Sequence, residues 1–248
     1  MTVLTPEMLQ TTTRPAELDA ELIRRLWAAL SSPPRPRKMT YAEFLQWADE
    51  DTLAEWVDGE VVMSSPASSG HQKIGGFLYH VIDLYVAQMN LGAVMQPPFQ
   101  MKLANSGREP DVLFVATDHL DRLQETYLDG PADLVVEIVS PESIGRDRGE
   151  KYVEYQEAGV PEYWLIDPRM KRAEFYQLDD EGQYRFVATD PGGIYRSASL
   201  PGFWLKVGWL WQDPLPPVED VLLEVGGEVY AQWLIERLRN HGYWPESQ

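Results

Sequence analysis

Residues 133–167 decide the fold, and they run DLVVEIVS, PESIGRDRGEKYVEYQEAG and VPEYWLID. The first segment is β-rich and almost wholly apolar, which predicts a central strand buried on both faces. The second predicts a helix that ends at Gly159, since glycine is favoured just past a helix C-terminus. The third predicts another strand. PDVLFV at 110–115 resembles the first segment and predicts a second central strand.

The flanking sequence adds helices and strands around this centre. Residues 53–63 (LAEWVDGEVVM) predict a hairpin, because Asp58-Gly59 is a pair favoured in tight type I′ turns. Thr40 and Glu43 have the spacing of a helix capping box. The apolar residues on one face of a long predicted helix are Ile74, Phe77, Leu78, Val81, Ile82, Tyr85 and Met89.

Downstream, RAEFYQL at 172–178 and QYRFVA at 183–188 predict a strand meander. LPGFWLKVGWLW at 200–211 predicts a further strand, and EVYAQWLIERLRN at 228–240 predicts a final helix. This order of elements predicts an α/β fold with a mixed central β-sheet flanked by helices. We expect three regions in the 248 residues: an N-terminal extension and linker at 1–37, a main domain at 38–210, and a C-terminal helical extension at 211–248.

The composition excludes several classes of protein. There is no cysteine, which rules out disulfides and thiolate chemistry. No apolar run approaches the ~20 residues that cross a bilayer, and the N-terminus lacks the pattern of a secretory signal, so we expect a cytoplasmic protein. The net charge of −18 argues against a nucleic-acid partner, although RDRGEK at 146–151 concentrates basic residues locally.

Two acidic residues on the predicted central strands form a candidate metal site. Asp111 follows Pro110 at the start of one strand, and Glu137 lies inside LVVEIV, where an unpaired carboxylate would be costly to bury. Two carboxylates on neighbouring strands, with the main-chain carbonyl of Ile138 or Val139, can bind Mg²⁺ or Mn²⁺, since hard cations prefer oxygen ligands.

The next helix places a cation beside those acids. Asp147, Lys151 and Tyr155 follow one another at intervals of four and so share one side of the helix. We expect Lys151 to act on a metal-bound water, Tyr155 to hold Lys151 in place, and Asp147 to tune the local field. Arg146 and Arg148 are candidate phosphate contacts. Glu150 and Glu154 are expected on a different, solvated face.

The segments quoted above, preceded by EWVDGEVVMSSPASSGHQKI at 55–74, resemble the Uma-two-type restriction endonuclease family of the PD-(D/E)XK nuclease superfamily. The resemblance covers roughly residues 38–210 and implies a restriction-endonuclease-like fold. It implies that Pro110-Asp111 is the "PD" and that Glu137 is the acidic member of "(D/E)XK". Val139 stands where that motif has its lysine, and in such relatives the lysine is found on the following helix, here Lys151.

The same resemblance implies two supporting residues, Glu55 near the metal and His71 at the start of the long helix. The resulting hypothesis is a Mg²⁺-dependent endonuclease that hydrolyses phosphodiester bonds in DNA and acts as a homodimer. Two alternatives stay open at this point: a catalytically inactive binding protein on a nuclease fold, and a hydrolase of a small phosphodiester, for which an acidic surface is no handicap.

Overall fold

The computed structural model describes residues 38–49 and 52–243. The predicted extension at 1–37 lies outside the described residues. The helices are α1 (Tyr41–Trp47), α2 (Ser69–Met89), α3 (Lys151–Ala158) and α4 (Val218–Asn240). Within the described ranges, no helix is both long and apolar enough to span a membrane.

Thirteen strands are formed by the described residues. They are β1 (Ala54–Val57), β2 (Glu60–Met63), β3 (Gly92–Met95), β4 (Gln100–Lys102), β5 (Ser106–Arg108), β6 (Val112–Ala116), β7 (Tyr127–Asp129), β8 (Leu134–Ile138), β9 (Glu162–Asp167), β10 (Arg172–Leu178), β11 (Tyr184–Phe186), β12 (Ile194–Arg196) and β13 (Trp204–Lys206).

The central sheet has six strands in the order β11-β10-β9-β8-β6-β3. The pair β8 and β9 is parallel and is connected through α3, whereas the other neighbours are antiparallel. The predicted central strands β6 and β8 are neighbours in this sheet. The α/β fold with a mixed central sheet flanked by helices is therefore confirmed.

A second sheet of five short strands has the order β2-β1-β5-β4-β7. Its β1–β2 hairpin turns at Asp58 and Gly59, whose φ angles of 49° and 88° match the predicted type I′ turn. The strand predicted in LPGFWLKVGWLW pairs only with β12 in a separate two-stranded sheet, so it does not extend the central one.

Helix α2 packs on one face of the central sheet. Of the apolar residues predicted to face the core, Met89 alone is 38% exposed, and the others are buried. Helix α3 covers the opposite face, where Tyr155 packs with Val135 and Leu113. Helix α4 buries Val221 and Leu222 in the same core as α2. The α2 face and the α3 face are both apolar, as expected for a sheet covered on two sides.

Candidate active site

Asp111 and Glu137 meet at one end of the central sheet. The antiparallel register pairs Val112 with Val136, so the next position along places Asp111 opposite Glu137. The main-chain N–H of Ile138 donates to Asp111 Oδ2 at 2.7 Å. Directly opposed residues of an antiparallel pair point to the same face, here the face covered by α3. The two acids predicted from separate strands therefore lie together.

Lys151 at the start of α3 projects between acidic side chains. Its Nζ lies 2.9 Å from Glu137 Oε1 and 2.9 Å from Glu55 Oε1. Asp147 Oδ1 is 3.7 Å away. Lys151 is only 5% exposed, and Glu137 only 4%, so these charges are held largely out of water. The buried ammonium and carboxylates stabilise one another where each alone would be costly.

Tyr155 contacts a different partner from the one expected. Its hydroxyl donates to Glu137 Oε1 at 2.8 Å, so the tyrosine holds the carboxylate and not Lys151. Both hydrogen bonds to Glu137, from Tyr155 and Lys151, go to the same oxygen. Across the described ranges, no donor contacts Glu137 Oε2, which is therefore available as a ligand.

Asp147 lies in a π-helical turn, Arg146–Glu150, that leads into α3. Such turns are frequent at functional sites because they shift side chains out of the regular helical positions. Asp147 is 1% exposed, and in the described part of the chain neither of its carboxylate oxygens receives a hydrogen bond. Its ion pair with Lys151 Nζ, at 3.7 Å, is too long for a hydrogen bond.

Two further residues lie near the site: Arg108, which no sequence pattern indicated, and Glu154, which was expected in solvent. Arg108 is 2% exposed and donates to Glu55 Oε2 at 3.0 Å. Glu154 accepts from Arg108 Nε at 2.8 Å and also from the Ser106 hydroxyl. The expectation of a solvated Glu154 is therefore wrong, because the five-stranded sheet covers that side of α3.

The site holds more acids than bases, and this surplus together with burial shifts the pKa values of its side chains. Burial, together with the charges of Asp147, Asp111 and Glu55, raises the pKa of Glu137 to about 8, against the opposing effect of Lys151. Burial also raises the pKa of Asp147. For Lys151, burial lowers the pKa, but Glu137, Glu55 and Asp147 outweigh it, so the pKa of this lysine lies above its usual value.

Glu55 shows the opposite balance to Glu137. Burial raises its pKa, but the charges of Lys151 and Arg108 more than offset burial, so the pKa of Glu55 falls below its usual value. Glu109, beside it in the cleft, has its pKa raised to about 7, mainly by burial. Glu55 therefore carries a fixed negative charge between two cations.

Of the remaining predicted residues, His71 and Arg146 line the cleft, whereas Arg148 does not. His71 Nε2 lies 3.3 Å from Asp111 Oδ2, and this contact raises the pKa of His71. Arg146 lines the cleft beside these groups, and its buried Nε has no hydrogen-bond partner within the described residues. Arg148 instead pairs with Glu174 and, at 3.7 Å, with Asp167, so its guanidinium is directed away from the cleft.

The site opens into a cleft of about 600 Å³. Its walls come from the loop before α2, the start of α2, the end of β8, the π-helical turn and the turn after β9. The ionisable residues that line it are Glu55, His71, Glu109, Asp111, Glu137, Glu142, Arg146, Asp147, Lys151 and Arg169. A volume of this size lies within the usual range for ligand-binding clefts.

The donor set suits a magnesium-like ion. Among residues 38–49 and 52–243, no three His, Asp or Glu side chains are arranged to hold a metal by themselves. Mg²⁺ does not need such a group, because it commonly binds through one or two carboxylates and keeps several waters. Asp111, Glu137 Oε2 and a main-chain carbonyl would supply these ligands. The buried carboxylate of Asp147, which pairs with Lys151 only at 3.7 Å, adds negative charge that a cation would balance.

Comparison with known proteins agrees with the geometry. Residues 41–208 match the Uma2 family model, described as "Putative restriction endonuclease". A crystal structure of a "putative nuclease" from Anabaena variabilis aligns with a TM-score of 0.60 at 16% sequence identity, covering 70% of this chain and 97% of that one. No curated protein matches. The fold is restriction-endonuclease-like, and the chain belongs to the Uma2 family.

Proposed function

We propose that this protein is a metal-dependent endonuclease that hydrolyses phosphodiester bonds in DNA. The observation that carries the proposal is the position of Lys151 Nζ, 2.9 Å from Glu137 Oε1, in a cleft that also contains Asp111. A carboxylate pair with an adjacent ammonium combines a cation site with a group that stabilises negative charge. Phosphodiester hydrolysis requires both.

In this proposal Asp111, Glu137 and the main-chain carbonyl of Ile138 would hold Mg²⁺ or Mn²⁺. A bound ion of this kind lowers the pKa of its water and neutralises charge on the scissile phosphate. Tyr155 fixes the Glu137 carboxylate through its hydrogen bond to Oε1. The N–H of Ile138 does the same for Asp111. The two proposed ligands are thus oriented by the protein before any ion binds.

Lys151 has an electrostatic role in this scheme. Because its pKa lies above the usual value, the ammonium stays protonated at neutral pH and cannot accept a proton. Two of its three N–H groups face Glu137 and Glu55, so it can donate the third to the attacking water or to a phosphate oxygen and stabilise the charge that develops during attack. Arg146, at the wall of the same cleft, is the proposed phosphate contact.

The net charge of −18 limits how DNA would be bound. Phosphate contacts dominate DNA affinity, so we expect a chain of this charge to bind DNA weakly. Arg146, Lys151 and Arg169 line the cleft and supply local positive charge. Cleavage of both strands would further require two copies of the site, and for that reason the proposed enzyme is a homodimer. We place it in the cytoplasm.

The test is incubation of the wild-type chain with supercoiled plasmid, linear duplex and single-stranded DNA, with Mg²⁺, with Mn²⁺ or with EDTA. We expect cleavage of DNA that EDTA abolishes. Hydrolysis of bis(4-nitrophenyl) phosphate without DNA cleavage would favour a small phosphodiester as substrate. Metal binding without hydrolysis of either, or no metal binding at all, would favour a non-catalytic binding protein.

A further inference from the structure

Proton donors of the protein itself surround the carboxylate of Glu55. Its Oε1 lies 2.9 Å from Lys151 Nζ and accepts from the main-chain N–H of Glu109 at 3.3 Å. Its Oε2 accepts from Arg108 Nη1 at 3.0 Å. A carboxylate offers about four acceptor positions, so three are already engaged. Glu55 is thus directed at two cations of the protein, although the family resemblance implied that it approaches a metal.

Arg108 is held in place from both sides. The register of β1 and β5 pairs Trp56 with Gly107, which puts Arg108 opposite Glu55 on the five-stranded sheet. The other side of its guanidinium contacts Glu154 Oε2, with Nε at 2.8 Å and Nη2 at 2.7 Å. The side chain is almost fully buried, so these contacts are little screened by water.

These contacts form a chain of alternating charge: Lys151, Glu55, Arg108 and Glu154. Glu154 follows Lys151 by three positions, so both ends of the chain lie on the same side of α3. The two middle members come from β1 and β5. The five-stranded sheet therefore reaches across to α3 at the point where Lys151 enters the cleft.

We propose that Arg108 is a positioning residue that fixes the Lys151 ammonium through Glu55. Lysine has a flexible four-carbon stem, so one acid alone restrains its ammonium poorly. Glu137 and Glu55 hold it from two directions, and Arg108 keeps Glu55 in the required orientation. The effect of Arg108 on the rate of cleavage rests on the proposed nuclease function. Its effect on the position of the Lys151 ammonium does not.

The kinetic test compares Arg108→Met with Arg108→Lys. Displacing a catalytic group by about 1 Å can cost on the order of 10²-fold in rate, so kcat of Arg108→Met should fall by about that factor, with KM within about twofold. Arg108→Lys, which retains the charge, should recover part of kcat. The control is Glu174→Gln, which removes a buried acid paired with Arg148 and Arg172 outside the cleft, and should lower Tm without changing kcat.

A second readout does not depend on activity. A buried, ion-paired ammonium exchanges its protons slowly, so Lys151 should give a ¹H–¹⁵N signal in labelled protein. That signal should broaden in Arg108→Met and persist in Arg108→Lys and in Glu174→Gln. If Arg108→Met fails to fold, Glu154→Gln removes the second partner of Arg108 more gently and should broaden the signal to a smaller extent.

The outcomes separate the two proposals. If the wild-type chain cleaves no phosphodiester, the nuclease proposal fails, and the Lys151 signal still decides the role of Arg108. An unchanged Lys151 signal in folded Arg108→Met would overturn the positioning role. If Arg108→Met does not fold, an unchanged Lys151 signal in folded Glu154→Gln would overturn it. A kcat loss in Glu174→Gln as large as that in Arg108→Met would also overturn it, since any lost ion pair would then have the same effect.

Discussion

Lys151 Nζ and Glu137 Oε1 lie 2.9 Å apart, although one residue begins a helix and the other lies in a central strand. Both side chains are almost completely buried. Once Glu137 is ionised, above its pKa of about 8, removing one partner of this buried ion pair should cost about 3–5 kcal/mol, because the other charge is left uncompensated. The contact between Lys151 and Glu137 should therefore contribute to the free energy of unfolding as well as to the charge in the cleft.

A double-mutant cycle measures this link. Lys151→Met and Glu137→Gln should each change the free energy of unfolding, and the double variant should be more stable than the sum of the single changes predicts. We expect a coupling energy above about 1 kcal/mol, within the range for residues in direct contact. Urea denaturation of the four proteins at about pH 9, above the pKa of Glu137, gives the value. Additive effects within about 0.5 kcal/mol would show that the contact is energetically unimportant.

The raised pKa of Glu137 predicts a pH dependence of stability. Without a bound metal ion, a pKa of about 8 leaves Glu137 largely protonated in the folded chain at neutral pH, whereas the unfolded chain releases this proton near the usual value of 4.5. Because the folded state binds more protons between these values, stability falls as the pH rises through this window. A difference of one pKa unit corresponds to about 1.4 kcal/mol.

The measurement is the free energy of unfolding at pH 5 and pH 8 in EDTA. Wild type should lose at least about 1.4 kcal/mol more than Glu137→Gln over this interval, the equivalent of one pKa unit. Glu181→Gln, which neutralises a well-exposed acid, is the control and should follow wild type. Parallel curves for wild type and Glu137→Gln would contradict a raised pKa at this residue.

The absent lysine of the strand can be reintroduced. Val139 lies two positions after Glu137, so the two side chains point to the same face of the sheet, and Val139 lines the cleft. Lys151→Met should abolish cleavage, and adding Val139→Lys should restore part of it, since an ammonium from the strand can reach the same space. Initial rates on plasmid DNA report the effect. A folded double variant with no activity would show that the cation must come from α3.

Metal affinity should depend on the proposed ligands. Asp111→Asn keeps an oxygen that can accept the Ile138 N–H but removes a charged ligand, so Mg²⁺ and Mn²⁺ binding should weaken by at least about tenfold, equivalent to about 1.4 kcal/mol. Calorimetric titration of the folded variant gives the affinity. Asp167→Asn, a buried acid outside the cleft, is the control. Equal affinity for wild type and Asp111→Asn would exclude Asp111 as a ligand.

Sequence patterns predicted the parts of the fold that depend on nearby residues. The capping box of Thr40 and Glu43 is present, the Asp58-Gly59 turn has the expected backbone angles, and α3 ends at Gly159 with φ 80°. Each of these depends on interactions within a few positions. The apolar strands β6 and β8 were equally clear, because burial on both faces leaves a continuous apolar run.

The residues that were missed depend on pairing between distant short strands. Arg108 lies in a three-residue strand with no periodic pattern, and only its register with β1 places it opposite Glu55. Glu154 occupies a helix side that would be solvated without the five-stranded sheet. Tyr155 was correctly placed on the side of Lys151, but the choice of Glu137 as its partner depends on the distance between α3 and β8.

The most direct test of the account compares the cleavage of plasmid DNA by wild type and by Glu137→Gln, in Mg²⁺ and at matched protein concentration. The amide has nearly the same shape as the carboxylate, so the variant should fold and still lose cleavage by at least about 10²-fold, as expected when a charged catalytic group is removed. Metal-dependent cleavage by folded Glu137→Gln at the wild-type rate would contradict the proposed active site.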